Sequence, residues 1–415
     1  MIRILRGKDF VRRKAQAKDV SSVVAGIIAA VMDEGDEALF RFTHEFDGVE
    51  LSELEVSQAE IDAALHQVGD EYVNMLKRAA ANISEFHSRQ VRSGFIVERN
   101  GMLLGQRVTP IEKAGLYIPG GKASYPSSVL MNAIPARIAG VEELVIVTPP
   151  PIKAEILAAA RIAGVDRVFR IGGAQAIAAL AYGTESVPRV SKIVGPGNVY
   201  VAEAKRQVFG QVGIDMIAGP SEIVIVADES ARADWIAADM LAQAEHDKAA
   251  SAVLVTWAEG LAEAVSAEIE AQLSCLEREE IARKSIDDNG AIILVSGIDE
   301  AETLVNEFAP EHLELCIEDA FGAMSRFKNA GSIFLGNNSP EALGDYFAGS
   351  NHVLPTMGTA KFSSPLSVDD FVKTTQFIYY NGESLEGAAD DIERFANSEG
   401  LTAHANSIRI RRQNV

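Results

Sequence analysis

The sequence is 415 residues long, 47% hydrophobic and 23% charged, with 38 Lys plus Arg against 59 Asp plus Glu and a formal net charge of −21. That length implies roughly two to four domains of ordinary size, and the apolar fraction supports large cores and excludes wholesale disorder. An acidic surface repels phosphate backbones and anionic headgroups, which argues against nucleic acid or a membrane as partner.

The N-terminus, Met1-Ile2-Arg3-Ile4-Leu5-Arg6-Gly7-Lys8-Asp9, lacks the apolar core of a signal peptide. The apolar run Val23 to Met32 is too short to span a bilayer. Only two cysteines occur, Cys275 and Cys316. They make no disulfide framework and suit a reducing compartment, so a soluble cytoplasmic protein is expected.

In chain order, residues 18–90 read as helical. Val20, Val23, Val24, Ile27, Ile28 and Val31 recur near a 3.6-residue period, and Gly35-Asp36 interrupts before Ala38-Leu39-Phe40 resumes. From about residue 94 short β-rich runs alternate with Ala-rich segments. The runs fall at 144–147, 168–171, 192–194, 223–226, 252–255, 292–295, 312–315 and 332–335. Near-continuous apolar strands between helix-length segments predict parallel sheet covered on both faces, hence right-handed βαβ units and an α/β fold. The hexapeptide Ala136-Arg137-Ile138-Ala139-Gly140-Val141 recurs at Ala160 to Val165. Each copy is predicted to end a helix with Gly in the left-handed cap and to lead into a strand. After about 337 the pattern fades into Gly/Asn/Ser/Pro-rich loops. Residues 382–411 then look helical but are too short to hold a core, so they should pack on another domain or another chain.

Seven histidines are unevenly spread. His44, His66 and His87 lie in amphipathic or charged helical segments and read as solvated. Gln243 and His246 are i, i+3 on one helix face and could reach one ion, although they also suit a helix C-terminus with a dipole-paired histidine. Glu311-His312 at the mouth of a predicted strand suits acid–base work. Cys316 shares a strand face with His312, so a thiol nucleophile and an inert buried thiol both stay open. A Gly-rich loop carries Asp345 and His352, and Glu399 and His404 flank a helix start near Gly400. No G-x-G-x-x-G or Walker sequence occurs. Gly-rich turns follow strand-like runs at 115–121, 172–175 and 195–198 instead, where backbone could approach a ligand at helix N-termini.

Taken together and in order, these stretches resemble the histidinol dehydrogenase family. The match rests on Gly-Leu-Tyr-Ile-Pro-Gly-Gly (115–121), Gly-Gly-Ala-Gln-Ala-Ile-Ala-Ala-Leu (172–180), Gly-Pro-Gly-Asn-Val-Tyr-Val (195–201) and Ala-Gly-Pro-Ser-Glu (218–222). Gln-Ala-Glu-His-Asp (243–247), Pro-Glu-His-Leu-Glu (310–314), Gly-Asp-Tyr (344–346), Asn-His-Val-Leu-Pro-Thr (351–356) and Glu-Gly-Leu-Thr-Ala-His (399–404) add to it. The resemblance implies oxidation of L-histidinol to L-histidine through L-histidinaldehyde with two NAD, the end of histidine biosynthesis. By position it implies Gln243, His246, Asp345 and His404 as ligands of one zinc per subunit, which mainly holds the substrate. It implies Glu311 and His312 as the acid–base pair, and Tyr117, Gln175 and Asn198 as NAD contacts. Substrate contacts are implied at Ser221, His352 and Glu399, beside His312 and the zinc ligands.

The resemblance further implies two incomplete Rossmann-like, doubly wound domains in an intertwined homodimer with shared active sites. Its boundaries would be a short N-terminal segment 1–12, a first domain of 13–116 plus 223–366, an NAD-side domain 117–222, and a C-terminal arm 367–415 that completes the partner's site. One departure stands out: Phe371-Val372-Lys373-Thr374-Thr375-Gln376 lacks an expected Lys-Arg-Thr/Ser. It leaves open a same-fold NAD-dependent dehydrogenase of another small alcohol. A ligand-sensing protein without chemistry is the third reading, against which stands the full set of acid–base and ligand residues.

Overall fold

The computed structural model describes residues 2–7, 19–120 and 125–412. The expected boundary at 12/13 and Gly121 of the first Gly-rich turn lie outside these residues. The chain opens with strand β1 (Arg3–Arg6) and helices α1 (Ser21–Glu34), α2 (Asp36–Asp47), α3 (Gln58–Val68) and α4 (Asp70–Ser88). Strands β2 (Phe95–Arg99) and β3 (Met102–Pro110) come next. An alternating run follows: β4 (Lys113–Tyr117), α5 (Pro126–Ala139), β5 (Glu143–Val147), α6 (Ala154–Ala163), β6 (Arg167–Phe169), α7 (Gly173–Tyr182), β7 (Lys192–Val194), α8 (Val199–Val208) and β8 (Gly213–Ile214).

A second run repeats the pattern with β9 (Glu222–Ala227), α9 (Ala233–Ala244), β10 (Ser251–Thr256), α10 (Glu259–Leu273), α11 (Glu279–Asn289), β11 (Ala291–Leu294), α12 (Ile298–Phe308), β12 (His312–Cys316), α13 (Ala320–Ala323) and β13 (Ser332–Leu335). The chain finishes with α14 (Glu341–Tyr346), β14 (Val372–Tyr380), α15 (Gly382–Ser398) and α16 (Thr402–Arg412). The predicted strand runs thus all become strands, and the fold is α/β with parallel sheets. Among the described residues, no helix is long and apolar enough to cross a membrane.

The two runs share one topology. The first sheet is ordered β6-β5-β4-β7-β8 and the second β11-β10-β9-β12-β13, with β1 added at the β11 edge. Counted within each run, both orders are 3-2-1-4-5, and all their pairings are parallel. Each strand is apolar on both faces because each face meets a helix layer. Leu144 and Ile146 enter one core, and Val145 and Val147 the other. Ile223 and Ile225 likewise oppose Val224 and Val226. The sequence repeat behaves as predicted: Gly140 and Gly164 are left-handed caps closing α5 and α6 ahead of β5 and β6.

Helices α1–α4 depart from the expected grouping. α3 and α4 contribute Ile61, Leu76 and Ile83 to the core of the β4–β8 sheet, and α1 and α2 contribute Val24, Ile27 and Leu39 to that sheet's opposite face. Residues 21–88 therefore pack with 113–214 rather than with 223–335. Helical periodicity says that a face is buried, and it does not say against which sheet. His87 is another correction. It is fully buried, with Nδ1 2.7 Å from Gln90 Oε1 and Nε2 3.4 Å from Asn351 Nδ2. It stands on the inward stripe of α4 with Val73, Leu76, Ala79 and Ile83.

The chain divides into two compact units, one of residues 1–90 and 111–371, the other of 91–110 and 372–415. In the smaller unit β14 pairs antiparallel with β3 from Val372↔Pro110 to Tyr380↔Met102, and β2 pairs with β3 on the other side. The expected arm at 367–415 thus begins at 372 and takes 91–110 with it, because nine residues of ladder join them. α15 and α16 do form where helices were expected, in this unit.

A buried ion pair ties down the turn after β7. Lys205 and Asp215 have 2% and 1% of their side-chain surface exposed. The Lys205 ammonium donates to Asp215 and to Gly195 O at 3.0 Å, while Asp215 Oδ2 accepts from Gly195 N at 2.8 Å. Gly195 has φ 108°, and a Cβ there would strike the carbonyl oxygen of Tyr117. Removing one partner strands the other charge. Lys205→Met is expected to lower unfolding free energy by about 3–5 kcal/mol, measured by urea denaturation. A loss under about 1 kcal/mol would mean that water reaches Asp215.

Candidate active site and metal centre

The amino edge of the β9–β13 sheet gathers most of the chemistry. His312 opens β12 beside Ile223 of β9 and Ser332 of β13. Its Nδ1 lies 3.2 Å from the carbonyl oxygen of Glu222, which can only accept, so Nδ1 carries the proton. Whenever the ring is neutral its lone pair is therefore on Nε2, which is buried without a hydrogen-bond partner. Glu311 precedes it, with Oε2 accepting from Glu222 N at 2.9 Å and lying 3.8 Å from His312 Nδ1. Burial pushes Glu311 up to about 7. Ser221, just before β9, stands at the same edge, where its carbonyl accepts from Ser251 N at 3.0 Å.

Two helices bring the remaining donors. Gln243 is fully buried near the end of α9, and His246 follows one turn later. α14 carries Glu341 and Asp345 four residues apart, on one face. Ligand atoms of His246, Glu341 and Asp345 all lie within 4.8 Å of one another. Asp345 Oδ1 is 3.7 Å from His312 Nε2, and Glu341 Oε1 is 3.7 Å from His312 Nδ1. His352 is turned into the same region. Its Nδ1 donates to Asp345 O at 3.0 Å, and Nε2 is 3.3 Å from Ser128 Oγ, so both ring nitrogens are engaged.

This donor set suits a divalent cation. Burial holds His246 below its ordinary pKa, leaving a neutral ring with a lone pair to give. Burial pushes Asp345 up, but the imidazoles of His312, His352 and His246 outweigh it and leave the carboxyl below its usual range. Burial alone disfavours a His312 cation, yet the carboxylates of Glu341, Glu311 and Asp345 outweigh that and hold its pKa well above normal. So many carboxylates around one imidazole call for added positive charge. Of the expected ligands, Gln243, His246 and Asp345 are brought together here. Glu399 and His404 lie in the smaller unit, both exposed, at the end of α15 and in the first turn of α16.

The expected nucleotide contacts cluster at the other sheet, at the carboxyl ends of β4 and β7. There the strand order reverses, the place where open α/β sheets form a crevice. Tyr117 ends β4, and its hydroxyl accepts from Gly173 N at 3.1 Å at the start of α7. Gln175, one turn into that helix, is buried with Oε1 unpartnered. Asn198 caps α8 through its side-chain oxygen, to Tyr200 N at 3.0 Å and Val201 N at 3.1 Å. The orphaned Gln175 oxygen leaves an acceptor for a polar ligand beside the glycine turn where β4 and β7 approach closely.

Sequence reasoning missed Glu341. It sits in a six-residue helix, too short to show periodicity, inside a stretch that reads as loop. The one available signal was its i, i+4 spacing to Asp345. The thiol alternative fails: Cys316 packs in the core against α9, and burial pushes its pKa far up. Cys275 is exposed and also free.

A family model for histidinol dehydrogenase matches residues 10–412. The chain belongs to the histidinol dehydrogenase family. With the family goes its class, an oxidoreductase of amino-acid biosynthesis. A histidinol dehydrogenase from Bacillus thuringiensis subsp. konkukian is 56% identical over 396 residues, covering 94% of this chain and 92% of that one. One from Geobacter sulfurreducens is 53% identical over 407 residues, covering 96% and 95%. The crystal structure of histidinol dehydrogenase from Elizabethkingia anophelis superimposes with a TM-score of 0.93 at 37% identity, over 98% of this chain and 96% of that one.

Beneath the site of this family member lies a carboxyl pair. Burial pushes Asp239 up to about 6, and burial together with the neighbouring Asp239 pushes Glu314 well above its ordinary value. Groups whose pKa rises on folding stabilise fully below their unfolded pKa, and that stability is lost as pH climbs through the folded values. Glu314→Gln keeps the shape, cannot ionise, and removes the negative charge beside Asp239. Between pH 5 and 8 the wild type should lose on the order of 2 kcal/mol more unfolding free energy than Glu314→Gln. Parallel denaturation curves for both proteins would show that the pair is ionised and hydrated instead.

Proposed function

We propose that the chain oxidises L-histidinol to L-histidine through L-histidinaldehyde, with two NAD per turnover and one zinc per subunit, as a cytoplasmic homodimer. The observation that carries the reading is the His312 ring: buried, held at Nδ1 by Glu222 O, with Nε2 free of any hydrogen bond and 3.7 Å from Asp345, so that once a cation offsets the surrounding carboxylates Nε2 is the atom left to take a proton. Gln243, His246 and Asp345, with His404, would hold zinc. Zinc there would supply a Lewis-acid anchor for the substrate's imidazole and amine nitrogens. Tyr117, Gln175 and Asn198 would contact NAD, which accepts hydride.

His312 takes the alcohol proton at Nε2 as hydride leaves the carbinol carbon. The aldehyde stays in the site, and Glu311 takes a proton from water as the oxygen adds to the carbonyl carbon. Hydride then leaves the hydrate, giving the carboxylate. Each molecule of alcohol and one water thus yields one carboxylate, two NADH and three protons. Ser221, His352 and Glu399 would hold the substrate's polar groups, and Ser128 keeps the His352 ring in place.

The two parallel sheets, with their shared strand order, are the natural Rossmann-like halves of this reading. Dimerisation is supported by the smaller unit's composition. Its buried apolar residues are Ala389, Ala396 and Ala405, while Phe95, Ile96, Ile378 and Phe395 are 58–75% exposed. A second copy covering that surface would let Glu399 and His404 complete the partner's site.

Histidinol with NAD should yield two NADH per molecule, read at 340 nm, and a chelator should abolish turnover that zinc restores. One NADH with free aldehyde released would sink the two-step reading, and turnover of other amino alcohols with histidinol inert would assign another substrate. His312→Ala should lower kcat by about 10²–10⁴-fold with zinc content unchanged. The aldehyde half-reaction should rise with pH through about 7, where Glu311 ionises, and lose that limb in Glu311→Gln. Co-expressed His404→Ala and His312→Ala subunits should form heterodimers with activity well above either parent. Activity no higher than the parents would mean that each chain completes its own site.

A further inference from the structure

We propose that Glu341 is a positioning residue. It holds the Gln243 side chain so that the amide oxygen, not the amide nitrogen, is offered to the metal. The proposal rests on the zinc reading above and assigns a role to a residue outside the expected ligand set.

The geometry of one amide decides it. Gln243 is fully buried, so no water completes its hydrogen bonding. An amide oxygen against the Glu341 carboxylate would set acceptor against acceptor. With the amide turned, Nε2 donates to Glu341 Oε2 at 2.7 Å and to Oε1 as well. The two orientations have nearly the same shape, but they present opposite chemistry on the far side. One offers a carbonyl lone pair, the other two N–H donors that no cation accepts. The carboxylate selects the first.

Glu341 is itself held for the task. It is 2% exposed, it begins α14 directly after Pro340, and its own N–H donates to Glu314 Oε1 at 2.7 Å. Asp345 follows on the same helix face. α14 therefore delivers one ligand and the group that aims another, while α9 delivers Gln243 and His246. Glu341 lies close enough to His246 and Asp345 to be taken for a ligand. Both its oxygens already face the Gln243 amide, which is what an outer carboxylate does when it orients a ligand.

The test is zinc affinity, by competition with a chromophoric chelator, together with the visible absorption of the cobalt(II)-substituted protein. Circular dichroism and melting check each variant's fold. Glu341→Met keeps the size and removes the acceptor, and should weaken zinc binding by about 10–100-fold. Glu341→Gln can still accept from Gln243 and should stay within about threefold of wild type. In a Gln243→Ala background Glu341→Met should cost nothing further, and cobalt spectra of Gln243→Ala with and without it should coincide. A second, equal loss in that background would make Glu341 a ligand and overturn the proposal. So would unchanged affinity in Glu341→Met, or a Glu341→Gln as weak as Glu341→Met. If the wild type binds no zinc, the zinc reading has failed instead.

Discussion

Burying carboxylates is the constraint on which the site depends. Glu222, Glu311, Glu314 and Glu341 are all buried, and Asp345 retains 14% of its side-chain surface. Each would be costly alone in a medium of low dielectric. Backbone N–H groups of strand, helix and loop meet the cost: Glu222 N of β9 serves Glu311, Glu341 N at the start of α14 serves Glu314, and Met357 N in the loop beyond serves Glu222 at 3.1 Å. Burial favours the protonated form of Glu314, and the Gln243 amide and the His312 ring absorb more. What remains is a concentrated negative field at the mouth of α9 and α14, and that residue of charge makes the proposed cation and a cationic substrate fit.

The two sheets use one topology in opposite directions. In the β4–β8 sheet the candidate ligand contacts stand at the carboxyl ends of the strands, where helix N-termini point outward and favour anionic groups such as a pyrophosphate. In the β9–β13 sheet the cluster stands at the amino ends. α9 ends there, and Gln243 and His246 straddle its C-terminus, the negative end of its dipole, while the short α14 begins there at Glu341. A cation belongs at that end. The usual rule for open α/β sheets places ligands at carboxyl ends, and the departure of the second sheet is what the proposed cation, opposite in charge to a phosphate, would call for.

The same distinction explains what the sequence could and could not disclose. Buried strands announce themselves as apolar runs, and the duplicated Ala-Arg-Ile-Ala-Gly-Val hexapeptide marks two helix ends. Gln243 and His246 are legible as an i, i+3 pair, and Glu311-His312 as neighbours at a strand mouth. Each left an ordinary alternative open, and only the ordered set of motifs narrowed it to a family. Glu341 was hidden by the brevity of α14. β14 was hidden because its partner, β3, lies some 270 residues earlier in the chain. His87 looked polar and so solvated, although its helical spacing placed it on the inward stripe. Burial partners are a property of the assembled chain, so the allegiance of α1–α4 to the β4–β8 sheet was not written in their periodicity.

The smaller unit shows what a sheet looks like when its cover is not part of the same unit. All five residues of β2 are exposed, as are eight of nine in β14. Strand alternation normally sends every second side chain into a core, and here neither face does so within the unit. Two helices that bury only alanines cannot offset the cost of ordering the backbone around them. A strand ladder of this length, rich in Phe, Tyr and Ile, would invite indiscriminate pairing if left open. The proposed second copy would remove that hazard by covering the ladder. Glu399 and His404 stand on the same unit, so under the proposed dimer the covering of the apolar surface and the completion of the site would answer to one interface.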